Sequence, residues 1–579
     1  MGMVHQSLRG CVVSACMRAW AFSAFLLIGP SSIFAADVSF VEVTESTGIE
    51  FVHNSGLEGH LWTLEITGAG VGILDADGDG WMDILLVQGG PLTNRGDQKL
   101  PHDRLFMNDG LRNSRGRLTF SDRSKDWGLT SASEYGMGVA TGDVDNDGDT
   151  DILLANYGQN QLWLNEGSRF QLATRSLPSD SLWSISASFA DLDADGHLDL
   201  FVGNYLRFSV EDYETCSRWS GRLSYCAPSN FETVPDQMFF QYRSDVEDVP
   251  LFMDVSRSFG LSKLEGAAMG VIVDDLNDDG RPDIYVANDG TVNHLWINEG
   301  DREFAEDALM MGLAVNADGL AEASMGIAAR DIDDDGDVDL LVSHDIKESN
   351  TLYTNQSGWF SDESNARGLA ADSLAFSAFG TGWFDADNDG DLDLFVANGA
   401  VTVIEAQDAA GIRPPLRQRN QLFLNDEGKF AFLPELFDVV DTSRGAAFGD
   451  LDNDGDTDLV ISNNHGPARI YRNDTEGGHW LGLDVRGNPR VNPIGAFLWR
   501  EFTANDGTIV RRQRRRVHTD GSYASANDPR VLYGLGSNDK AQSVVVKWPD
   551  GQWERFGPLV VNEYHVLEYG RGRALKVDD

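Results

Sequence analysis

Seven times the chain writes a nine-residue phrase of the form D-x-[DN]-x-D-G-x-x-D, starting at Asp75, Asp143, Asp191, Asp275, Asp331, Asp385 and Asp450. Acids at positions 1, 3 and 5 can converge on one hard cation, and Gly at position 6 permits the sharp turn. The carbonyl of position 7 and the Asp at position 9 can complete a shell of six or seven oxygens, which is the chemistry of a calcium loop. The candidate ligands are Asp75, Asp77, Asp79 and Asp83; Asp143, Asp145, Asp147 and Asp151; Asp191, Asp193, Asp195 and Asp199; Asp275, Asn277, Asp279 and Asp283; Asp331, Asp333, Asp335 and Asp339; Asp385, Asp387, Asp389 and Asp393; and Asp450, Asp452, Asp454 and Asp458. Up to seven Ca²⁺ ions are therefore expected, with Asn277 marking the fourth loop as the weaker site. An EF-hand begins alike but closes with Glu at position 12 between helices. Here β-type runs follow the closing acid at once, ILLV after Asp83, LFVGN after Asp199 and LFVAN after Asp393, so each loop joins two strands.

The elements that carry these loops repeat with them. Loop starts are 48 to 84 residues apart, the spacing of a supersecondary unit with variable insertions. A small-residue strand precedes each loop (GMGVATGDVD, SASFADLD) and the β-run follows it. A third strand comes next (RLFMN, QLWLN, QMFFQ, HLWIN, TLYTN, QLFLN, RIYRN), then a fourth that begins aromatic and runs toward Gly-Leu. Four strands per unit make a propeller blade. The seventh unit lacks its fourth strand, and FVEVTESTGI, from Phe40, is of that type. The expectation is an all-β chain: a seven-bladed β-propeller over residues 37–474, closed by its N-terminal strand, plus a small β domain at 478–572. An open stack of calcium-binding turns would need shorter, uniform repeats. Insertions at about 88–103, 204–236 and 399–419 fall between second and third strands, on the face opposite the Asp loops. Anchors there include Asn156, Tyr157, Asn204, Tyr205, Asn288, Asp289, His344, Asp345, Asn398, Asn463 and His465, which serve either turn chemistry or ligand contact.

Bulk properties narrow the function. A formal charge of −47 with 41% apolar residues, 14 Trp and 30 Phe describes a folded acidic chain and disfavours a nucleic-acid partner, so none is expected. Arg9 and Arg18, the apolar stretch from Ala19 to Gly29 and the exit at Ala35 or Ala36 read as an export signal over 1–35. No later run is long enough for a transmembrane span, so the mature chain is expected outside the cytoplasm, secreted, extracellular or periplasmic. Cys216 and Cys226 then remain, and an oxidising compartment favours a disulfide between them. Asn355-Gln356-Ser357 and Asn473-Asp474-Thr475 are glycosylation sequons if the source is eukaryotic.

From His479 the Asp loops stop. Arg511, Arg512, Arg514, Arg515 and Arg516 stand out in so acidic a chain, either gripping a polyanion or docking against the protein's own acidic loops, with strand alternation dividing them between two faces. The Asp-loop units resemble the FG-GAP/VCBS repeats of integrin alpha-chain propellers. Asn492 to Ala496 (N-P-I-G-A), Gly521 to Tyr523, Tyr533 to Gly536 and Trp548 to Gly551 (W-P-D-G) resemble an ASPIC/UnbV domain, and the whole is similar to the cartilage acidic protein family. That resemblance implies extracellular calcium binding and adhesion or recognition, and it supplies no catalytic residue. The first functional expectation is recognition of an extracellular protein or glycan through the insertion face. A lectin would show Trp219 or Tyr225 exposed there. The alternative is an enzyme or biosynthetic accessory with a site in the central well, for which His53, His60, His102, His344 and His465 are the candidates. No G-x-S-x-G, H-E-x-x-H or P-loop supports it.

Overall fold

The computed structural model describes residues 38–93, 102–110, 118–130, 134–179, 181–217, 221, 223–243, 249–503, 509–540 and 542–575. The export segment and Trp219 lie outside the described residues. From Asp37 on, the chain is one compact unit.

The architecture is all-β and propeller-like, with helices of four or five residues only at connections. Each Asp loop joins the first and second strands of a four-stranded antiparallel unit. The first strands are Val71–Leu74, Tyr135–Gly142, Leu182–Ala190, Ala268–Asp274, Ile327–Arg330, Ala378–Phe384 and Ser443–Gly449. They neighbour one another in sequence order, and the last lies against the first, so the cycle closes. The N-terminal strand Phe40–Glu42 pairs with the third strand of unit seven, Phe40 opposite Asn473, and serves as its fourth strand.

Second strands such as Asp199–Asn204 and Asp283–Asn288 are buried throughout, because each unit is covered on both sides by its neighbours. Their side chains fill seven apolar clusters, one between each pair of adjacent units, as where Ile73 and Ile84 of unit one meet Val460 and Ile470 of unit seven. The first strands are small-residue strands because they crowd together near the axis. A Cβ on Gly138 would lie 2.0 Å from the Ile185 carbonyl oxygen, and one on Gly326 would lie 2.1 Å from that of Phe379.

Beyond unit seven, His479–Arg486 pairs with Val531–Gly536 and, in parallel, with Tyr564–Glu568. A five-stranded sheet built on Phe497–Thr503 and Ile509–Arg516 packs with it around Leu481, Leu498, Val544 and Trp548. Among the described residues, no helix is long and apolar enough to cross a membrane.

Ring closure by Phe40 is directly testable. Its side chain packs 6.2 Å from the Phe384 ring and 5.7 Å from Phe437. Phe40→Ala is expected to cost about 3 kcal/mol in denaturant unfolding; an unchanged midpoint would mean that the closing strand contributes nothing.

Candidate metal loops and the filled axis

Within each loop the carboxylates are fixed by backbone amides before any ion is considered. The Asp at position 1 accepts the amide of the Gly at position 6 in all seven loops, as Asp75 does from Gly80 at 2.9 Å. The Asp at position 9 accepts two amides, from position 2 of its own loop and from the last residue of the third strand. Asp83 receives them from Ala76 and Asn108, and Asp458 from Leu451 and Asn473. The Gly turn and the strand that follows thus hold the acids on the inside of the loop.

The donor set fits a hard divalent cation. Ligand atoms from positions 1, 3 and 9 lie within 4.8 Å of one another in Asp75/Asp77/Asp83, Asp143/Asp145/Asp151, Asp191/Asp193/Asp199, Asp331/Asp333/Asp339 and Asp385/Asp387/Asp393. Asp331 Oδ1 and Asp452 Oδ1 are buried without a hydrogen-bond donor. Burial first, then neighbouring carboxylates, pushes Asp75 up to about 6, Asp143 and Asp191 to about 7, and Asp199 to about 9. The fourth loop differs. Asn277 Nδ2 donates to Asp279 Oδ2 at 3.0 Å, Arg281 reaches the same oxygen at 2.5 Å, and Arg514 stands 3.7 Å from Asp275.

The third-strand ending that repeats as N or Q has a role that sequence reading missed. Asn108, Asn165, Gln241, Asn298, Asn355 and Asn473 each donate their side-chain amide to a position-2 carbonyl in the preceding unit's Asp loop: Leu451, Ala76, Val144, Leu192, Leu276 and Ala386. Asn425 instead bonds Leu392 of its own loop. The recurrence of the residue was the available signal. Two of these side chains, Asn355 and Asn473, are the sequon asparagines; at 4% and 0% exposure they are interunit ties and not open to glycosylation in the folded chain. At position 4, Asn146, Asn388 and Asn453 adopt positive φ and donate to Gly196, Gly455 and Gly80 of the next loop.

At the opposite end, the anchors serve turn chemistry. Asn156, Asn204, Asn288, Asn398 and Asn463 are buried, with side-chain amides on Gln159, Pro235, Val292, Arg419 and Pro467 carbonyls. Tyr157 packs against Trp183, Tyr205 donates to Asp289 at 2.6 Å, and Asp345 accepts from Ser377. Cys216 and Cys226 form the disulfide, which ties the insertion of unit three. Tyr225 is half-buried and packs against Ile66, Ala400 and Leu416. Apart from His53 and His465, which meet, the candidate histidines fall in separate neighbourhoods. His53 accepts the His465 amide at 3.3 Å, His344 faces Glu322 at 3.3 Å, His60 stacks on Trp62, and His102 is partly buried. Burial pushes His53 down to about 3 and His344 to about 4, so both are neutral.

The axis itself is filled by the C-terminal part of the chain. Residues 519–528 bond to the first strand of every unit. Ala526 exchanges backbone bonds with Val71 and Ile73, Ala524 accepts from Val139, and Ser522 pairs with Ile327. Ala524 also donates to Ser186 Oγ, Asp520 accepts from Ser188 and Val273, the Thr381 amide donates to Ser522 Oγ, and Ser522 Oγ donates to Ala446. Tyr523, fully buried against Phe379, donates to the Thr67 carbonyl.

The arginine strand docks on the same loop face. Arg514 donates to Gly336 and lies over Phe497, Arg515 lies over Tyr533, and Arg516 pairs with Asp274 and Asp520. A bulge at Gln513, with φ of 56°, breaks the expected alternation, so Arg514, Arg515 and Arg516 are all buried while Arg512 is exposed. Arg511 stands 3.9 Å from Glu501.

Two families match this arrangement: the FG-GAP-like repeat over residues 75–154, 143–202 and 275–342, and ASPIC and UnbV over residues 492–574. The chain carries FG-GAP-like repeats and a C-terminal ASPIC and UnbV domain, and over most of its length it is similar to cartilage acidic protein. It is 25% identical over 494 residues to Cartilage acidic protein 1 of Homo sapiens, covering 73% of this chain and 70% of that protein. Against Cartilage acidic protein 1 of Xenopus tropicalis it is 24% identical over 496 residues, 73% of this chain and 72% of that one. Among solved structures, an Agrocybe aegerita protein that recognises non-reducing terminal N-acetylglucosamine aligns with a TM-score of 0.37 and 16% identity, over 63% of this chain and 79% of that one.

The carboxylate environment sets a pH dependence. A carboxyl whose folded value is raised contributes stability below its ordinary value near 4 and loses it as pH rises through the folded value. Metal-stripped protein should therefore melt at progressively lower temperature from about pH 5 to about pH 8, with the difference from calcium-loaded protein widening over the same range. Parallel melting curves would refute metal occupancy of the loops. Asp520 is the reverse case. Burial alone would raise it, but Arg516, His518 and Ser188 hold it well below the ordinary range. Asp520→Ala should cost about 3 kcal/mol or more by leaving Arg516 with Asp274 alone and the Ser188 and Val273 donors unpaired, and a loss below about 1 kcal/mol in denaturant unfolding would contradict the axial role.

Proposed function

We propose that the protein is a calcium-stabilised, seven-bladed propeller that works outside the cytoplasm as a recognition or adhesion protein for a protein or glycan ligand. The observation that carries this reading is the seven-fold set of inward-held carboxylates, at least five of which form triads within 4.8 Å, with the axis beside them already filled by residues 519–528. Ions in such loops rivet one face of the ring. The fourth loop, with Arg281 and Arg514 on its acids, binds calcium least tightly.

A filled axis disfavours the central-well enzyme, and of the candidate histidines only His53 and His465 meet. Recognition is better supported on the insertion face. The disulfide-tied insertion of unit three stands there on Phe208, Tyr213 and Phe231, and large apolar side chains are exposed on nearby connections, Val292 at 48% and Leu320 at 61%. The FG-GAP repeats, the similarity to cartilage acidic protein and the disulfide agree with an extracellular address.

Two measurements test the reading. Calcium titration of stripped protein should show several ions bound and a rise in melting temperature, with roughly 2 kcal/mol or more per occupied loop at free calcium near 100 times the dissociation constant. A glycan and secreted-protein binding screen should give ligands for the intact chain that are lost when residues 207–233 are replaced by a short Gly-Ser turn. Ligands that persist would move recognition away from this insertion.

A further inference from the structure

A cavity of about 570 Å³ opens on the loop face, between the Asp loops of units three and four and the C-terminal domain. The motifs that mark that domain in the sequence converge on it: Ile494 and Gly495 come from N-P-I-G-A, and Pro549 from W-P-D-G. With Phe497 these residues form an apolar wall, while Arg281, Arg302 and Arg516 supply three guanidinium groups. Five aspartates also line the space: Asp191, Asp193, Asp274, Asp275 and Asp301. The metal-free lining is therefore net negative; a divalent ion in the third loop neutralises it, and a second in the fourth makes it positive.

Arg302 couples the two conditions. Its guanidinium sits 2.5 Å from Asp193 Oδ2, although Asp193 occupies position 3 of the third loop, and its side chain is 57% exposed. Arg281 stands in the same relation to Asp279 in the fourth loop. A cation that takes Asp193 as ligand competes with Arg302 for that carboxylate and leaves the guanidinium free to meet an anion in the cavity.

We propose that this cavity is a calcium-dependent site for an acidic sugar unit, a uronate or sulfated pyranose, distinct from the insertion face. The anionic group pairs with Arg302 and Arg281. The apolar face of the ring lies along Ile494, Phe497 and Pro549, and hydroxyls donate to Asp301 at the rim. A bare inorganic anion leaves the apolar wall uncovered, and a neutral sugar leaves the guanidinium groups unpaired. The proposal rests on calcium occupancy of the third loop.

Isothermal titration of the full mature chain, calcium-loaded and calcium-stripped, with glucuronate, glucose 6-sulfate, glucose and inorganic sulfate tests it. The acidic sugars should bind only the loaded protein, with glucose and sulfate each about tenfold weaker or undetectable. Arg302→Gln should weaken glucuronate about tenfold or more without changing the number of calcium ions bound, and Ile494→Trp, which fills the cavity, should abolish it. Loaded protein that ignores acidic sugars would show a water-filled gap and overturn this site alone. Glucose or sulfate binding as tightly as the acidic sugars, or Arg302→Gln without effect, would overturn the ligand assignment. A protein that takes up no calcium would overturn this site together with the reading beneath it.

Discussion

Closing seven wedge-shaped units around an axis creates a problem that the units cannot solve by themselves. Their first strands converge, yet those strands carry small residues so that neighbours can approach, leaving the centre unfilled and its polar groups unpaired. The chain answers with its own later segment. Ser522, Ala524 and Ala526 are small enough to thread the axis, and their backbone groups take bonds that a closed sheet edge would otherwise have supplied. Gly70 shows how tight the fit is, since a Cβ there would lie 1.6 Å from the Ala524 carbonyl oxygen. The C-terminal domain is consequently part of the ring's core and not an appendage to it.

The loop face is built from two kinds of positive partner for one excess of acid. Between units, neutral amides do the joining: the third-strand asparagines and the position-4 asparagines carry no charge and survive any metal state. Within loops, carboxylates crowd together at values that burial raises, which a divalent cation reverses by supplying the missing charge. This separation means that the ring's connectivity and its metal response rest on different residues. A change at Asn165 loosens two units, whereas a change at Asp145 alters the carboxylate crowding of a single loop, where its charge bears on Asp143 and Asp151.

Much of this was legible in the sequence, for a specific reason. A metal loop needs its ligands at fixed offsets, so the Asp phrase survives as text, and the closing strand at Phe40 could be matched by type because every other unit has one. The axial segment was not legible because its partners are hundreds of positions away, as with Val71 and Ser525 at a separation of 454. Its G-S-Y was recognisable as a motif without any indication that it fills a channel. The arginine run misled through a single residue: alternation splits it correctly only if no bulge intervenes, and Gln513 provides one. The sequons misled because Asn-x-Ser/Thr records neither burial nor partners, and Asn355 and Asn473 have both.

Where the C-terminal domain lands, guanidinium groups stand against the acids and carbonyls of the loops. Arg514 approaches Asp275 in the fourth loop, the one in which Asn277 has already removed a charge. Arg530, held by Asp528, donates to the Asp450 carbonyl and to Asn453 in the seventh loop, where Tyr564 also donates to Asp450 Oδ2 at 2.8 Å. Loops one and two keep their full acid sets: the domain meets the second through the neutral amide of Asn492, on the Asp143 carbonyl and Asn146 Oδ1, and Arg530 reaches only a backbone carbonyl, that of Gly80, in the first. An ion and a guanidinium compete for the same oxygens, so affinity for calcium should be graded around the ring, lowest under the arginines and highest away from them. By the same competition, a cation entering these loops would displace some arginine contacts and relieve the carboxylate repulsion that those contacts only partly offset. The ring and its C-terminal domain are thus coupled through shared carboxylates, with the axial segment holding them together while the loop contacts exchange.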